Sequence, residues 1–170
     1  MTRDMIRGTI IIAASIFLLL IGYNIFLKIR PEPYIDDSAA HELYELLIEN
    51  GFDVVIDDDF ASSGFNDKKS FYISTPIDDD FELDEPIHHP EFFSVFVYLY
   101  TTENDAIIKT GQFSPKGDMY LNDYGRYTNF GSSLPVHFYR MRNAIIQYYG
   151  INPTVQALLE EHCGKQFAGA

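Results

Sequence analysis

The chain has 170 residues, of which 46% are hydrophobic and 15% aromatic, and its formal net charge at pH 7 is −13. This apolar content excludes a disordered acidic chain and predicts a folded core. Residues 31–170 hold 24 of the 25 acidic and 8 of the 12 basic residues, a net charge of −16. Phosphate backbones repel such a region, so we expect no nucleic-acid partner.

The first thirty residues contain an uncharged apolar stretch at 8–27, with two basic residues on each side. A helix of about twenty apolar residues is long enough to cross the hydrocarbon core of a bilayer. No small-residue cleavage site follows it, and the single cysteine, Cys163, is far from the position that lipoprotein processing requires. The sequence therefore predicts an uncleaved signal anchor, with a transmembrane helix at about 8–27 inside an anchor segment 1–30.

The orientation of this anchor depends on few charges. Basic residues are equal in number on its two sides, and the N-terminal amine favours a cytoplasmic N-terminus. We therefore expect a single-pass protein of the cell membrane. A short proline-containing linker at 31–37 then leads to one acidic extracytoplasmic domain at 38–170.

The first predicted elements of the domain alternate with acidic loops. Residues 38–50 have apolar side chains at helical spacing and a mostly acidic opposite face, which predicts a helix ended by Gly51. Strands are predicted at 52–56 and 70–75, separated by a polar loop. The strongest strand signal is at 91–101, where both faces are apolar or aromatic, a pattern typical of a central strand.

The C-terminal half contains clear helix and hairpin signals. A helix is predicted at 103–113, and strands at 136–141 and 144–149 form a hairpin around Arg142 and Asn143. Asn152 as N-cap, followed by Pro153, predicts a last helix that ends at Gly164. This order predicts an α+β domain, with a mainly antiparallel sheet and helices packed on one face.

Several C-terminal segments carry a resemblance to known proteins. They include Pro-Val-His-Phe-Tyr at 135–139, Tyr-Tyr-Gly at 148–150 and Gly-Lys-Gln-Phe-Ala-Gly at 164–169. With the strand at 95–100 and the turn at 113–117, these segments resemble an uncharacterised family of small membrane-anchored or exported proteins, mostly from Gram-positive bacteria. The resemblance implies an extracytoplasmic domain and transfers no catalytic residue. Family members often carry a tryptophan before the Pro-x-His-Phe-Tyr segment, where Phe130 is the nearest aromatic residue here.

His137 is the candidate general base, because imidazole titrates near neutral pH. Its candidate partners are Ser132, Ser133, Asp118 and Asp123. Neither serine lies in a strand–turn–helix elbow of the hydrolase type. We therefore predict no catalytic residue and expect His137 to satisfy a turn or a buried polar group, with an envelope hydrolase using His137 as the alternative.

Acidic and histidine residues near position 80 are the candidate metal ligands. His88 and His89 are adjacent, so on an extended chain they point to opposite sides. Leu83 occupies the place where an EF-hand loop requires glycine. We predict no metal and no cofactor, and a weak calcium-responsive module remains a second alternative, with these candidate ligands: Asp78, Asp80, Glu82 and Asp84.

Aromatic residues on the predicted strands suggest a ligand surface. Flat aromatic faces bind glycans and extended peptides when they are exposed, and they fill the core when helices cover them. The sequence leaves both outcomes open for the tyrosines of the strands, Tyr149 included. The candidate surface consists of Tyr98, Tyr100, His137, Tyr139 and Tyr148.

The sequence as a whole favours a non-enzymatic protein of the bacterial cell envelope. The predicted anchor and compact acidic domain indicate a membrane-anchored extracytoplasmic accessory or ligand-binding module. Its expected partners are the membrane, through the N-terminal helix, and an envelope protein, a glycan or a peptide.

Overall fold

The computed structural model describes residues 16–17, 19–20, 34–57, 69–76, 92–122, 124–129 and 134–169. The chain divides into two compact units, Met1–Pro33 and Tyr34–Ala170. The described residues of the first unit are Ile16, Phe17, Leu19 and Leu20, which are helical and solvent-exposed. No helix within the described residues is both long and apolar enough to cross a bilayer. The rest of the transmembrane helix predicted at 8–27 lies outside the described residues, so that helix stays a prediction.

The second unit has an α+β fold. Its described helices are α1 (Ser38–Glu49), α2 (Glu103–Thr110) and α3 (Pro153–Cys163). Its described strands are β1 (Val55–Asp57), β2 (Lys69–Ser74), β3 (Ser94–Leu99), β4 (Met119–Leu121), β5 (Tyr127–Asn129), β6 (Val136–Met141), β7 (Ala144–Tyr149) and β8 (Ala168–Gly169). The predicted α+β class and mainly antiparallel sheet are confirmed.

Six of these strands form one sheet in the order β1-β2-β3-β7-β6-β8, and every pairing is antiparallel. β3 lies inside the sheet between β2 and β7, as its two apolar faces predict. The predicted hairpin of β6 and β7 is present with its turn at Arg142 and Asn143. β4 and β5 form a separate two-stranded hairpin that the sequence did not predict, and Tyr120 of β4 also bridges to Phe113.

One face of the sheet packs against α1 and α3. The apolar stripe of α1 includes Leu43 and Leu47, and α3 contributes Val155 and Leu159; all four are fully buried. Burial of a leucine-sized side chain stabilises the fold by roughly 1.5–3 kcal/mol. The sheet side of this core contains Phe71, Ile73, Val95, Val97, Leu99, Tyr139, Met141, Ile146 and Tyr148.

The opposite face of the sheet is also covered, in part by α2. Ala106 of α2 packs there with Phe113 and Tyr120, against Tyr98, Phe138 and Ile145 of the strands. The prediction that the helices pack on one face is therefore wrong. The physical reason is that β3 and β7 are apolar on both sides, so each side of the central sheet must be removed from water.

Three segments that the sequence singled out converge beside β8. His137 and Phe138 of β6 pair with Gly169 and Ala168. The amide of Gly169 donates to the carbonyl of Pro115 at 3.1 Å. A Cβ on Gly117 would lie 2.8 Å from the Cα of Gly169, so the turn approaches the C-terminal segment too closely for a side chain at Gly117. The segments at 113–117, 135–139 and 164–169 therefore meet at one place in the fold.

The hairpin turn between β6 and β7 is held by side chains from other elements. Arg142 has a left-handed backbone with φ of 52°. Its guanidinium donates to Ser38 and Glu42 of α1, and Glu42 also contacts His162 of α3 at 2.7 Å. Burial raises the pKa of Glu42, but its bonds to His162 and Arg142 outweigh that effect and hold the pKa below its usual value.

Candidate ligand-binding cleft

The five residues of the predicted aromatic surface are all buried. Their exposed fractions are 5% for Tyr98, 3% for Tyr100, 6% for His137, 1% for Tyr139 and 0% for Tyr148. Tyr139 and Tyr148 belong to the core under α1 and α3, whereas Tyr98 and Tyr100 belong to the core on the opposite face. The five side chains therefore form no common exposed surface and serve as core, which is the alternative that the sequence left open.

His137 is held by two glutamine side chains. Its Nδ1 lies 2.7 Å from Oε1 of Gln166, and its Nε2 lies 3.1 Å from the amide nitrogen of Gln156. With the Gln166 oxygen as acceptor and the Gln156 amide as donor, His137 donates through Nδ1 and accepts at Nε2. Both ring nitrogens are thus engaged by neutral amides, an arrangement typical of a structural histidine.

Among the candidate partners of His137, the structure describes Asp118 alone, and Asp118 bonds to a different residue. Asp118 instead accepts a hydrogen bond from the Ser114 hydroxyl at 2.6 Å. Ser132, Ser133 and Asp123 lie outside the described residues.

The candidate metal ligands all fall in the segment 77–91. Asp78, Asp80, Glu82 and Asp84 lie outside the described residues, as do His88, His89 and Phe130. Within the described part of the chain, no three histidine, cysteine or carboxylate side chains come together in a way that would hold a metal ion. The calcium-responsive alternative stays a prediction.

An open cleft of about 420 Å³ lies beside the end of α1, the end of β2, the start of β3 and the N-cap of α3. Among the described residues, four chain segments line it: the end of α1, the end of β2, Phe92 shortly before β3, and Asn152, the N-cap of α3. The lining residues are Gly51, Phe52, Asp53, Thr75, Pro76, Phe92 and Asn152.

Local backbone geometry at the end of α1 presents two of these residues to the cleft. Gly51 has φ of 83°, a conformation that glycine adopts without strain and that ends the helix. The chain then turns back, and the amide of Phe52 donates to the carbonyl of Leu47 at 3.1 Å. Phe52 packs edge-on against Phe93 at 5.5 Å between ring centroids, while Asp53 is exposed.

A second cavity of about 90 Å³ adjoins the cleft, because Thr75 and Phe92 line both. Ser74, Ser94 and Tyr149 are consecutive partners across β2, β3 and β7, so they share one face of the sheet under this cavity. The remaining lining residues are Tyr72, Phe93 and Leu134.

The same face of the sheet continues from the small cavity into half-buried aromatic rings. The Phe96 ring lies 4.8 Å from that of Tyr72 and 5.6 Å from that of Tyr149. Gln147 joins the Tyr149 hydroxyl at 2.5 Å and the Tyr98 hydroxyl at 2.6 Å. The hydroxyls of Tyr98 and Tyr149 are therefore both bonded to one buried amide.

Comparison with protein-family models, with curated proteins and with solved structures finds no match to the chain. The resemblance of the C-terminal segments therefore stays a prediction.

Proposed function

We propose that the chain is a membrane-anchored extracytoplasmic module that binds a ligand in the cleft at the end of its sheet. The observation that supports this proposal is the cleft of about 420 Å³ with its adjoining cavity of about 90 Å³. Its larger part has the volume of a small-molecule or peptide subsite.

The side chains around the cleft favour binding rather than bond cleavage. Among the described residues, they are aromatic rings, a proline, a leucine, hydroxyls, one exposed carboxylate and one amide. That amide belongs to Asn152, whose Oδ1 accepts from the backbone amides of Thr154 and Val155 and caps α3. We therefore assign the cleft a non-enzymatic role in the cell envelope.

The membrane part of the proposal depends on the apolar stretch at 8–27 and on the basic residues that flank it. An N-terminal transmembrane helix followed by a short linker would keep the domain beside the outer face of the membrane. Such a position suits an accessory protein that meets envelope proteins, glycans or peptides.

The cleft can be tested on the full chain in detergent micelles by NMR with ¹³C-labelled threonine methyl groups. Thr75 lines both cavities, whereas Thr128 of β5 is exposed and provides a matched reference. The probes are chitobiose and end-capped tripeptides that are cationic, neutral or acidic. At least one probe should shift the Thr75 methyl signal without shifting that of Thr128. If no probe shifts Thr75, or if both signals shift together, the proposal is wrong.

A further inference from the structure

We infer that the cleft accepts a lysine or arginine side chain from an extended segment of a partner protein, with Asp53 as the counter-charge. This inference rests on the proposed function and names the class of its ligand. It combines the charge of the lining residues, the helix end beside them, the aromatic walls and the adjoining small cavity.

The charge of the cleft favours a cation. Asp53 is the one charged residue among the described residues that line either cavity. The cleft also begins at the exit of α1, and the last turn of that helix contains no basic residue. The C-terminal end of a helix carries a partial negative charge, so the helix and Asp53 attract a cation together.

Three basic side chains in the described part of the domain are paired with acidic residues that do not line the cleft. Lys69 pairs with Asp37 at 2.9 Å, and Arg140 pairs with Glu103 at 3.0 Å. Arg142 is held by α1. With a net charge of −16 over residues 31–170, the surrounding field attracts a basic partner and accelerates its approach.

The aromatic walls suit a long cationic side chain. Phe52 and Phe92 both line the cleft, and Phe52 is fixed by its contact with Phe93. A lysine or arginine packs its alkyl stem against such rings, and its charged head gains from the aromatic face. Asn152 also lines the cleft, and its side-chain oxygen already accepts from the first amides of α3, so those donors are occupied.

The small cavity indicates a peptide rather than a free amine. It begins at Thr75 and Phe92, which it shares with the cleft, and its further walls include Phe93 and Leu134. Side chains two residues apart in an extended peptide point the same way and are about 7 Å apart. When a basic residue occupies the cleft, we expect a small apolar residue two positions along to reach the adjoining cavity.

The test uses the Thr75 methyl signal of the full chain in detergent micelles to measure dissociation constants. End-capped Lys-Ala-Val should bind about tenfold more tightly than norleucine-Ala-Val, which has a neutral side chain of similar shape, and Glu-Ala-Val should bind more weakly still. Asp53→Asn should remove the advantage of the lysine peptide, and Asp53→Glu should retain most of it. Glu161→Gln removes the same charge from an exposed site on α3 and should leave binding unchanged.

Each contrary result has a distinct meaning. Equal binding of the lysine and norleucine peptides, or equal effects of Asp53→Asn and Glu161→Gln, would overturn the cationic ligand. Equal binding of n-butylamine and the lysine peptide would overturn the peptide assignment. In both cases a Thr75 response to any probe would leave the proposed function intact, whereas no response to any probe would remove both.

Discussion

His137 occupies a buried position where both ring nitrogens contact glutamine amides. Replacing it with alanine leaves two half-buried amides without these partners and removes a ring contact with Tyr148. We expect His137→Ala to lower the free energy of unfolding by about 2–4 kcal/mol. The measurement is chemical denaturation followed by circular dichroism. His162→Ala, which removes a more exposed histidine paired with Glu42, should cost about 1 kcal/mol or less.

A His137→Ala variant as stable as the wild type would contradict this structural role. The hydrolase alternative would then regain support, because a histidine that does not stabilise the fold is available for chemistry.

Two buried tyrosines predict loss of stability at alkaline pH. Burial raises the pKa of Tyr139 and of Tyr148 to about 12. An unfolded chain ionises its tyrosines near pH 10, so between about pH 10 and 12 the unfolded state loses protons that the folded state keeps. The contribution to stability is therefore complete below about pH 10 and is lost as the pH rises toward 12.

Urea denaturation at several alkaline pH values checks this expectation. Tyr139→Phe should reduce the fall in unfolding free energy, and Tyr124→Phe, which changes a tyrosine that is 86% exposed, should not. Identical pH dependence in the wild type and Tyr139→Phe would show that this burial does not govern alkaline stability.

Individual residues show what the sequence was able to predict. The alternation in β3 correctly assigned Val95 and Val97 to one face and Phe96 and Tyr98 to the other, because strand geometry fixes this pattern. Exposure was not predictable, since it depends on which elements cover each face. The cleft was missed for a similar reason: Asp53, Thr75 and Asn152 come from separate elements and carry no common motif.

At the scale of elements, β8 depends on a glycine with no room for a side chain. Gly169 has φ of 118°, and a Cβ there would collide with the Val136 carbonyl oxygen and lie 2.8 Å from the Cα of His137. We expect Gly169→Ala to destabilise the domain by about 2–3 kcal/mol, because it combines backbone strain with a backbone clash. Gly125→Ala has strain without the clash and should cost about 1 kcal/mol.

We would measure the urea denaturation midpoints of Gly169→Ala and Gly125→Ala and compare them. Equal destabilisation at Gly169 and Gly125 would mean that the close approach of β8 to β6 contributes nothing.

Elements with strong local signals were predicted well. α1 and α3 begin and end close to their expected residues, and Asn152 caps α3 as its sequence indicates. α2 is shorter than predicted and ends at Thr110. β4, β5 and β8 were missed because each has two or three residues, too few for a periodic pattern, and forms only through pairing with a partner.

At the scale of the whole molecule, the proposal requires an acidic domain outside the cell membrane. Its single cysteine makes labelling from outside practicable. Burial raises the pKa of Cys163 to about 12, so this thiol has little reactive thiolate at neutral pH. The wild-type chain should therefore label poorly and provide the background.

The most direct test is reaction of a membrane-impermeant maleimide with intact cells that express the Glu161→Cys variant, with Thr2→Cys as the matched control on the other side of the predicted span. Glu161 is exposed on α3. The account predicts that Glu161→Cys is labelled on intact cells, and that Thr2→Cys is labelled only after the cells are permeabilised. Labelling of Glu161→Cys only after permeabilisation would place the domain inside the cell and contradict the account.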